Sequence, residues 1–281
     1  MSKGETPQDA LPPEMIAHYQ TGNEAQRLSS GVHQLELART QEILGRYLPP
    51  PPAVVLDVGG GPGVYSCWLT KLGYEVHLID PVPTHLEQAK RASDQQPGYP
   101  IASLAIGDAR SLSRSDDSVD ALLLMGPLYH LTKRSDRVAA LREAARVLKP
   151  WGLLFAVAIS RFAPLLDGLV RGLLDDPQFV PILERDLIDG QHRNPTDNPA
   201  YFTTAFFHLP GELESEIEEA GIRLEVTLSI EGPGWLLQDF DERWRDPDRR
   251  ARLLDAVRAT ETAASLLGVG AHMMAVARKS A

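Results

Sequence analysis

This chain is poor in the residues that would point to several large function classes. It has a single cysteine, Cys67, which excludes an internal disulfide and any cysteine-ligated zinc centre. Its eight histidines are scattered with no His-x-x-x-His pair, so no metal site is expected. Cations are outnumbered: 28 Lys and Arg against 38 Asp and Glu leave a net charge of -10. That balance disfavours a nucleic-acid backbone as partner, because phosphate contacts need clustered positive side chains. No apolar run reaches the roughly 20 residues a helix needs to cross a bilayer. The stretch from Met1 to Pro13 is polar and proline-containing, without the apolar core of a signal peptide. A cytoplasmic protein is expected.

Hydrophobic content of 43% and charged content of 23% are ordinary for a globular enzyme, and 281 residues suffice for one large domain. The chain is organised around Val54-Val55-Leu56-Asp57-Val58-Gly59-Gly60-Gly61-Pro62-Gly63. An apolar run without polar alternation reads as a strand buried on both faces. The glycines that follow permit a tight turn and close approach of backbone N–H groups to a ligand. Helical spacing from Val64 to Leu72 completes a strand–turn–helix unit, the framework of a nucleotide site at the carboxyl end of a parallel sheet. A dinucleotide fingerprint wants glycine at the first, third and sixth positions, but counting from Gly59 the sixth position is Val64. No Lys-Ser/Thr pair follows the glycines, which argues against a P-loop.

Asp57-x-Gly59-x-Gly61-x-Gly63, with Gly60 between, resembles motif I of the class I S-adenosylmethionine (SAM) methyltransferases. The rest of the central chain continues the resemblance. Tyr74 to Asp80 is a short strand ending in an acid about 20 residues past the glycines, where a carboxylate accepts hydrogen bonds from ribose hydroxyls; Pro81 follows. Ile101 to Ile106 reads as a third strand, ending in Gly107-Asp108-Ala109, which is similar to the family turn that meets adenine. Val119 to Met125 is a fourth strand, with Asp120 expected to cap it. The loop Gly126-Pro127-Leu128-Tyr129-His130-Leu131 resembles a bacterial branch related to the ubiquinone/menaquinone C-methyltransferases. A helix over Ser135 to Leu148 and a strand over Leu153 to Ile159 follow, with Trp151 where the family turn usually has glycine. Apolar strands alternating with helices specify a doubly wound sheet.

The ends match more loosely. Residues 1–13 read as a disordered tail, and 14–281 as one domain. Within it, 14–52 form cap helices, 53–159 the SAM-binding core, 160–209 a helical lid or acceptor insertion, and 210–281 the remainder of the sheet. Tyr19, Arg27 and Leu28 match family positions that fold over the cofactor. The insertion is expected to be helical over Phe162 to Leu174 and Pro177 to Asp189, and ends in Tyr201, Phe202, Phe206, Phe207 and His208, a pocket wall or a small core. Strands are expected at Gly221 to Val226 and His272 to Arg278, with helix from Leu236 to Leu267. The fold implied is Rossmann-like α/β, seven-stranded with an antiparallel final hairpin.

The resemblance implies an enzyme that transfers a methyl group from SAM to a small organic acceptor by in-line displacement, releasing S-adenosylhomocysteine. It implies cofactor contacts at Asp57, Gly59, Gly60, Gly61, Gly63, Asp80, Pro81, Gly107, Asp108, Ala109, Met125, Gly126, Tyr19 and Arg27. An activated donor asks the protein mainly for alignment and desolvation, and for a base only where the acceptor atom carries a proton of high pKa. His130, Tyr129 and His208 are the candidates for that task. Two rivals remain at this point, a catalytically silent SAM-binding protein and a nicotinamide-dependent oxidoreductase. The chain is expected to be a monomer or homodimer, with no nucleic-acid partner and no membrane span.

Overall fold

The computed structural model describes Tyr19, residues 24–196 and residues 198–281. The expected tail and the first part of the N-terminal cap lie outside the described residues. Two cap helices are described, α1 (Glu24–Arg27) and α2 (His33–Tyr47). β1 (Val54–Val58) follows, then α3 (Val64–Lys71), β2 (Glu75–Asp80), α4 (Pro83–Asp94), β3 (Ser103–Ile106) and β4 (Val119–Leu124). Next come α5 (Pro127–His130), α6 (Arg134–Val147) and β5 (Leu148–Ile159). The insertion contains α7 (Ala163–Arg171), α8 (Val180–Asp189) and a small hairpin of β6 (Gln191–His192) with β7 (Ala205–Phe206). The chain closes with α9 (Pro210–Glu219), β8 (Ile222–Ser229), α10 (Phe240–Arg245), α11 (Pro247–Thr260) and β9 (His272–Lys279).

Seven strands form one sheet in the order β3-β2-β1-β4-β5-β9-β8. The first five are parallel, and β9 and β8 run antiparallel at one edge. Helices cover both faces, which is why the inner strands are continuously apolar. Leu56 and Val58 of β1 pack with Leu122, Leu141 and Ala144 on one side. Val55, one step out of phase, packs with Leu123, Phe155, Ile43 and Leu69 on the other. The strand order reverses between β1 and β4, so a crevice opens at their carboxyl ends.

Several boundaries differ from the sequence expectations for local reasons. β3 starts at Ser103, although the backbone N–H of Ala102 already donates to Val76 at 2.8 Å. Gly172, at φ +72°, closes α7 short of Leu174. The stretch expected as helix from Leu236 to Leu267 is broken at Asp246-Pro247. The Asp246 carboxylate accepts from the N–H of Asp248 (2.9 Å) and Arg249 (3.1 Å), so a new helix starts there, with proline at its first position. Asp120 accepts from the N–H of Val54 at 2.8 Å, holding the starts of β4 and β1 together. Trp151 sits at φ +67°, the left-handed conformation that a family glycine would adopt without strain.

One buried ion pair fixes the loop after β4. Arg137 of α6 and Glu216 of α9 are 2% and 1% exposed, and Arg137 Nε lies 3.1 and 2.9 Å from the two carboxylate oxygens. Arg137 Nη1 also donates to the carbonyls of Leu131 (2.9 Å) and Thr132 (3.1 Å), while its guanidinium lies 3.6 Å over the Phe206 ring. Removing one partner leaves an uncompensated buried charge. Glu216→Ala is therefore expected to lower unfolding free energy by about 3–5 kcal/mol in urea titrations. A loss below about 1 kcal/mol, the range of exposed pairs, would show that the pair does not anchor this loop.

Candidate active site

The glycine turn after β1 is braced from beneath by Asp57 and from the side by Asp80. Asp57 is 1% exposed and accepts from Ser66 Oγ at 2.7 Å. A Cβ at Gly60 would stand 2.6 Å from the Asp57 carboxyl, so only glycine lets the turn close over that side chain. Burial, opposed by Ser66 and assisted by the Asp80 charge, pushes the Asp57 carboxyl up to about 6. The Asp80 carboxylate accepts from the N–H of Gly61 at 2.9 Å and of Val82 at 2.8 Å, and lies 3.1 Å from His85 Nδ1. The turn and the end of β2 are thereby one rigid unit.

A first cavity opens above this unit. The turn after β1 gives it Asp57, Gly59, Gly60 and Gly61; the end of β2 gives Asp80 and Pro81. Gly107, Asp108 and Ala109 come from the end of β3, and Met125, Gly126, Tyr129 and His130 from the loop after β4. Tyr19 and Arg27 close it from the N-terminal side. Gly63 does not line it. That residue, at φ +79°, starts α3, and a Cβ there would press to 3.0 Å from Ala89 of α4, so its smallness serves helix packing.

Two features of the first cavity suit a bound nucleoside. A Cβ at Gly61 would project into open space, with only His85 Nδ1 near, at 3.9 Å. His85 Nε2 is buried without a hydrogen-bond partner among the described residues. No sequence signal marked His85; it arrives through the first turn of α4. Asp108 is engaged by Arg110, whose Nε lies 3.0 and 3.1 Å from its oxygens; burial alone would raise its carboxyl, but Arg110 holds it below the usual range.

A second cavity of about 450 Å³ lies beside the first, under the insertion. Phe179, Tyr201, Phe202, Phe207 and Trp235 make its aromatic wall, while Glu36, Glu231 and His272 form a polar end. The expected pocket wall is thus divided: Phe206 packs under Arg137 instead. The cavities meet along two contacts. Arg27, in the first, grips both oxygens of Glu36, in the second, at 2.6 and 3.0 Å. His130, in the first, stacks on Phe202, in the second, with ring centroids 6.3 Å apart. Tyr19 closes from above, its hydroxyl hydrogen-bonded to His130 Nε2. Tyr129 packs on His130 at 4.7 Å and donates to the Met125 carbonyl at 3.1 Å.

His208 is removed from the candidate list by its surroundings. It is fully buried, lines neither cavity, and lies 3.3 Å from Glu216 within the Arg137 cluster. Burial holds its imidazole pKa below the ordinary value, partly offset by Glu216. Sequence reasoning missed Glu36, Glu231 and His272 because no motif joins them. The pairing of Ile159 with His272 brings the start of β9 to the carboxyl end of β5, and Glu231 follows β8 into the same place. Although the chain has no metal-type spacing, ligand atoms of these three residues lie within 4.8 Å of one another.

Comparison with known proteins agrees with this geometry. Residues 55–152 match a family described as a methyltransferase domain. The chain is 33% identical over 135 residues to a ubiquinone/menaquinone biosynthesis C-methyltransferase of Acidiphilium cryptum, a match covering 48% of this chain and 52% of that protein. It is 28% identical over 222 residues to a ubiquinone biosynthesis O-methyltransferase of Xanthomonas axonopodis, covering 79% of each. The chain therefore spans about half the length of the first relative and four-fifths of the second. Among solved structures, a SAM-dependent methyltransferase of Thermotoga maritima, described as a possible histamine N-methyltransferase, superposes with a TM-score of 0.59 at 19% identity, over 95% of this chain and 99% of that one. Residues 55–152 thus match a methyltransferase domain, and the sheet order and the solved neighbours give the chain the class I SAM-dependent methyltransferase fold.

Proposed function

We propose that the protein methylates a small organic acceptor held in the second cavity, using SAM bound in the first. The observation that carries this reading is the shared wall: Arg27 with Glu36, and His130 with Phe202, are contacts in which one residue faces each cavity. SAM supplies a methyl group already activated on a sulfonium. The chain's own residues then have to hold two molecules in line and keep water out.

Asp80 is assigned to the ribose hydroxyls, and Gly107, Asp108 and Ala109 to the adenine. The Gly59–Gly61 turn, with Met125, Gly126, Tyr19 and Arg27, is assigned to the methionine end, which then faces the second cavity. His130, with its Tyr19 partner, orients what crosses the seam. Tyr19, α1 and the insertion act as the cover that closes over both molecules. The aromatic wall favours a planar acceptor, and the net negative charge keeps anionic polymers away.

Two outcomes check these assignments. Gly61→Val fills the open cradle, and Asp80→Ala removes the ribose acceptor, so each should weaken S-adenosylhomocysteine binding by about 1–3 kcal/mol in calorimetric titrations. Unchanged affinity in both variants would place the nucleoside elsewhere. The second outcome concerns Asp57. Its folded pKa is raised, so its contribution to stability is full below the unfolded value near 3.8 and is lost as pH rises through about 6. Asp57→Asn keeps the Ser66 contact without the charge. Relative to wild type, the ligand-free variant should gain about 2–3 kcal/mol between pH 4 and pH 7.5 in urea unfolding. A difference that stays constant with pH would show that Asp57 is not desolvated as described.

A further inference from the structure

The polar end of the second cavity gathers two buried carboxylates and an imidazole. Its wiring decides what it can do. Both Glu36 oxygens are held by Arg27, at 2.6 and 3.0 Å. Both Glu231 oxygens are held by His272: one accepts the backbone N–H at 2.9 Å, the other lies 2.6 Å from Nδ1. A divalent cation would have to displace a guanidinium and an imidazole at once, so the convergence of these three residues does not make a metal centre. What remains is a carboxylate–imidazole pair facing a cavity.

Of the other imidazoles among the described residues, His85 and His130 line the first cavity, and only His33 and His192 line the second with His272. His192 is fixed at both nitrogens, with Nδ1 2.9 Å from Asp186 and Nε2 2.7 Å from the Tyr201 carbonyl. His85 Nδ1 is tied to Asp80, and His130 Nε2 to the Tyr19 hydroxyl. His33 stands at the outer rim, half exposed, beside Arg27 and Glu36. His272 Nδ1 is taken by Glu231, and Nε2 has no hydrogen bond to the described residues. Glu231 fixes the tautomer and the ring orientation, as a carboxylate does for a working histidine.

We propose that His272, oriented by Glu231, is the proton acceptor for methylation of a planar acceptor through a hydroxyl group, a phenol in chemical class. This rests on the reading that the acceptor occupies the second cavity. The ring stands against Phe202 and Phe207, and its hydroxyl reaches His272 Nε2. As the oxygen forms its bond to the methyl carbon, the carbon–sulfur bonding pair returns to sulfur and the hydroxyl proton passes to Nε2. The positive charge that leaves the sulfonium reappears on the imidazolium, beside the Glu231 carboxylate. A carboxylate acceptor is disfavoured by the negative charges of Glu36 and Glu231. An alkylamine would lodge there as an ammonium, which has no lone pair to give.

The charged and titratable groups around His272 come from five elements. Glu231 follows β8 and Glu36 lies on α2, where Arg27 of α1 pairs with it. Tyr65 of α3 lies in the same field, its hydroxyl pushed up by burial and then by Glu36. The Asp167–Arg171 pair on α7 lines the cavity opposite. Burial acts to lower the imidazole pKa, but Glu231 and then Glu36 outweigh it and hold it above the ordinary histidine value. The dyad is thus a stronger base than an isolated imidazole.

The test uses the full chain and a series of phenols of graded pKa. With SAM and a phenol that is un-ionised at the assay pH, His272→Gln should lose about 10²–10⁴-fold in kcat. With an electron-poor phenol already ionised at that pH, the loss should shrink to within a few-fold. S-adenosylhomocysteine affinity should stay within two-fold of wild type. Without any turnover, imidazole NMR of the protein should assign His272 a titration that moves to lower pH in Glu231→Gln. Its resonance should also shift on adding a non-methylatable aryl methyl ether. Equal losses on ionised and un-ionised phenols, or methyl transfer only to amines or carboxylates, would overturn the proposal while leaving the methyltransferase reading standing. Failure to bind S-adenosylhomocysteine at all would instead defeat that prior reading.

Discussion

The site depends on the Asp80 carboxylate. It is 3% exposed and stands at the end of β2, where three partners converge on it: the N–H of Gly61, the N–H of Val82 and His85 Nδ1. Hydrogen bonds to an ionised carboxylate are about twice as strong as neutral ones, so this residue locks the glycine turn to the neighbouring strand. It also leaves acceptor capacity toward the cavity, since a carboxylate offers about four lone-pair positions. The same group that shapes the turn also lines the first cavity. Asp57, buried under Gly60, is the complementary brace; burial, with the nearby Asp80 charge, raises its pKa.

Around this unit the protein builds a seam instead of a single pocket. Arg27 and Glu36 neutralise each other across it, and Tyr19, His130 and Phe202 form an aromatic ridge along it. The Arg137–Glu216 pair holds the ridge from behind by gripping the carbonyls of Leu131 and Thr132. Such an arrangement separates two tasks. One cavity is lined by turns at the strand ends of the seven-stranded sheet; the other is lined largely by an insertion and cap helices that lie outside that sheet.

What was legible in the sequence follows that division. Residues that act through backbone geometry or through the ends of parallel strands announce themselves. Asp57 to Gly61, Asp80 and Gly107 to Ala109 could be placed because a buried strand must be apolar and its turn needs glycine. His130 was legible only through the resemblance of its loop. Gly63 carried the right spacing but serves the packing of α3 on α4. His208 looked exposed to function because it follows an aromatic cluster, yet a parallel bridge between Ser160 and His208 turns it into the Arg137 cluster. Glu231 and His272 were invisible: they are 41 residues apart, and only the register of the final antiparallel strands joins them. Side chains assembled by long-range strand pairing leave no local pattern to read.

The central claim is the orientation of the donor: nucleoside on Asp80, reacting end toward the second cavity. A crystal structure of the protein with S-adenosylhomocysteine tests it most directly. The account predicts ribose hydroxyls within hydrogen-bond distance of the Asp80 carboxylate, and the thioether sulfur at the seam between Arg27–Glu36 and His130–Phe202. A nucleoside bound with its sulfur turned away from the second cavity, or bound outside the Gly59–Gly61 turn, would contradict it.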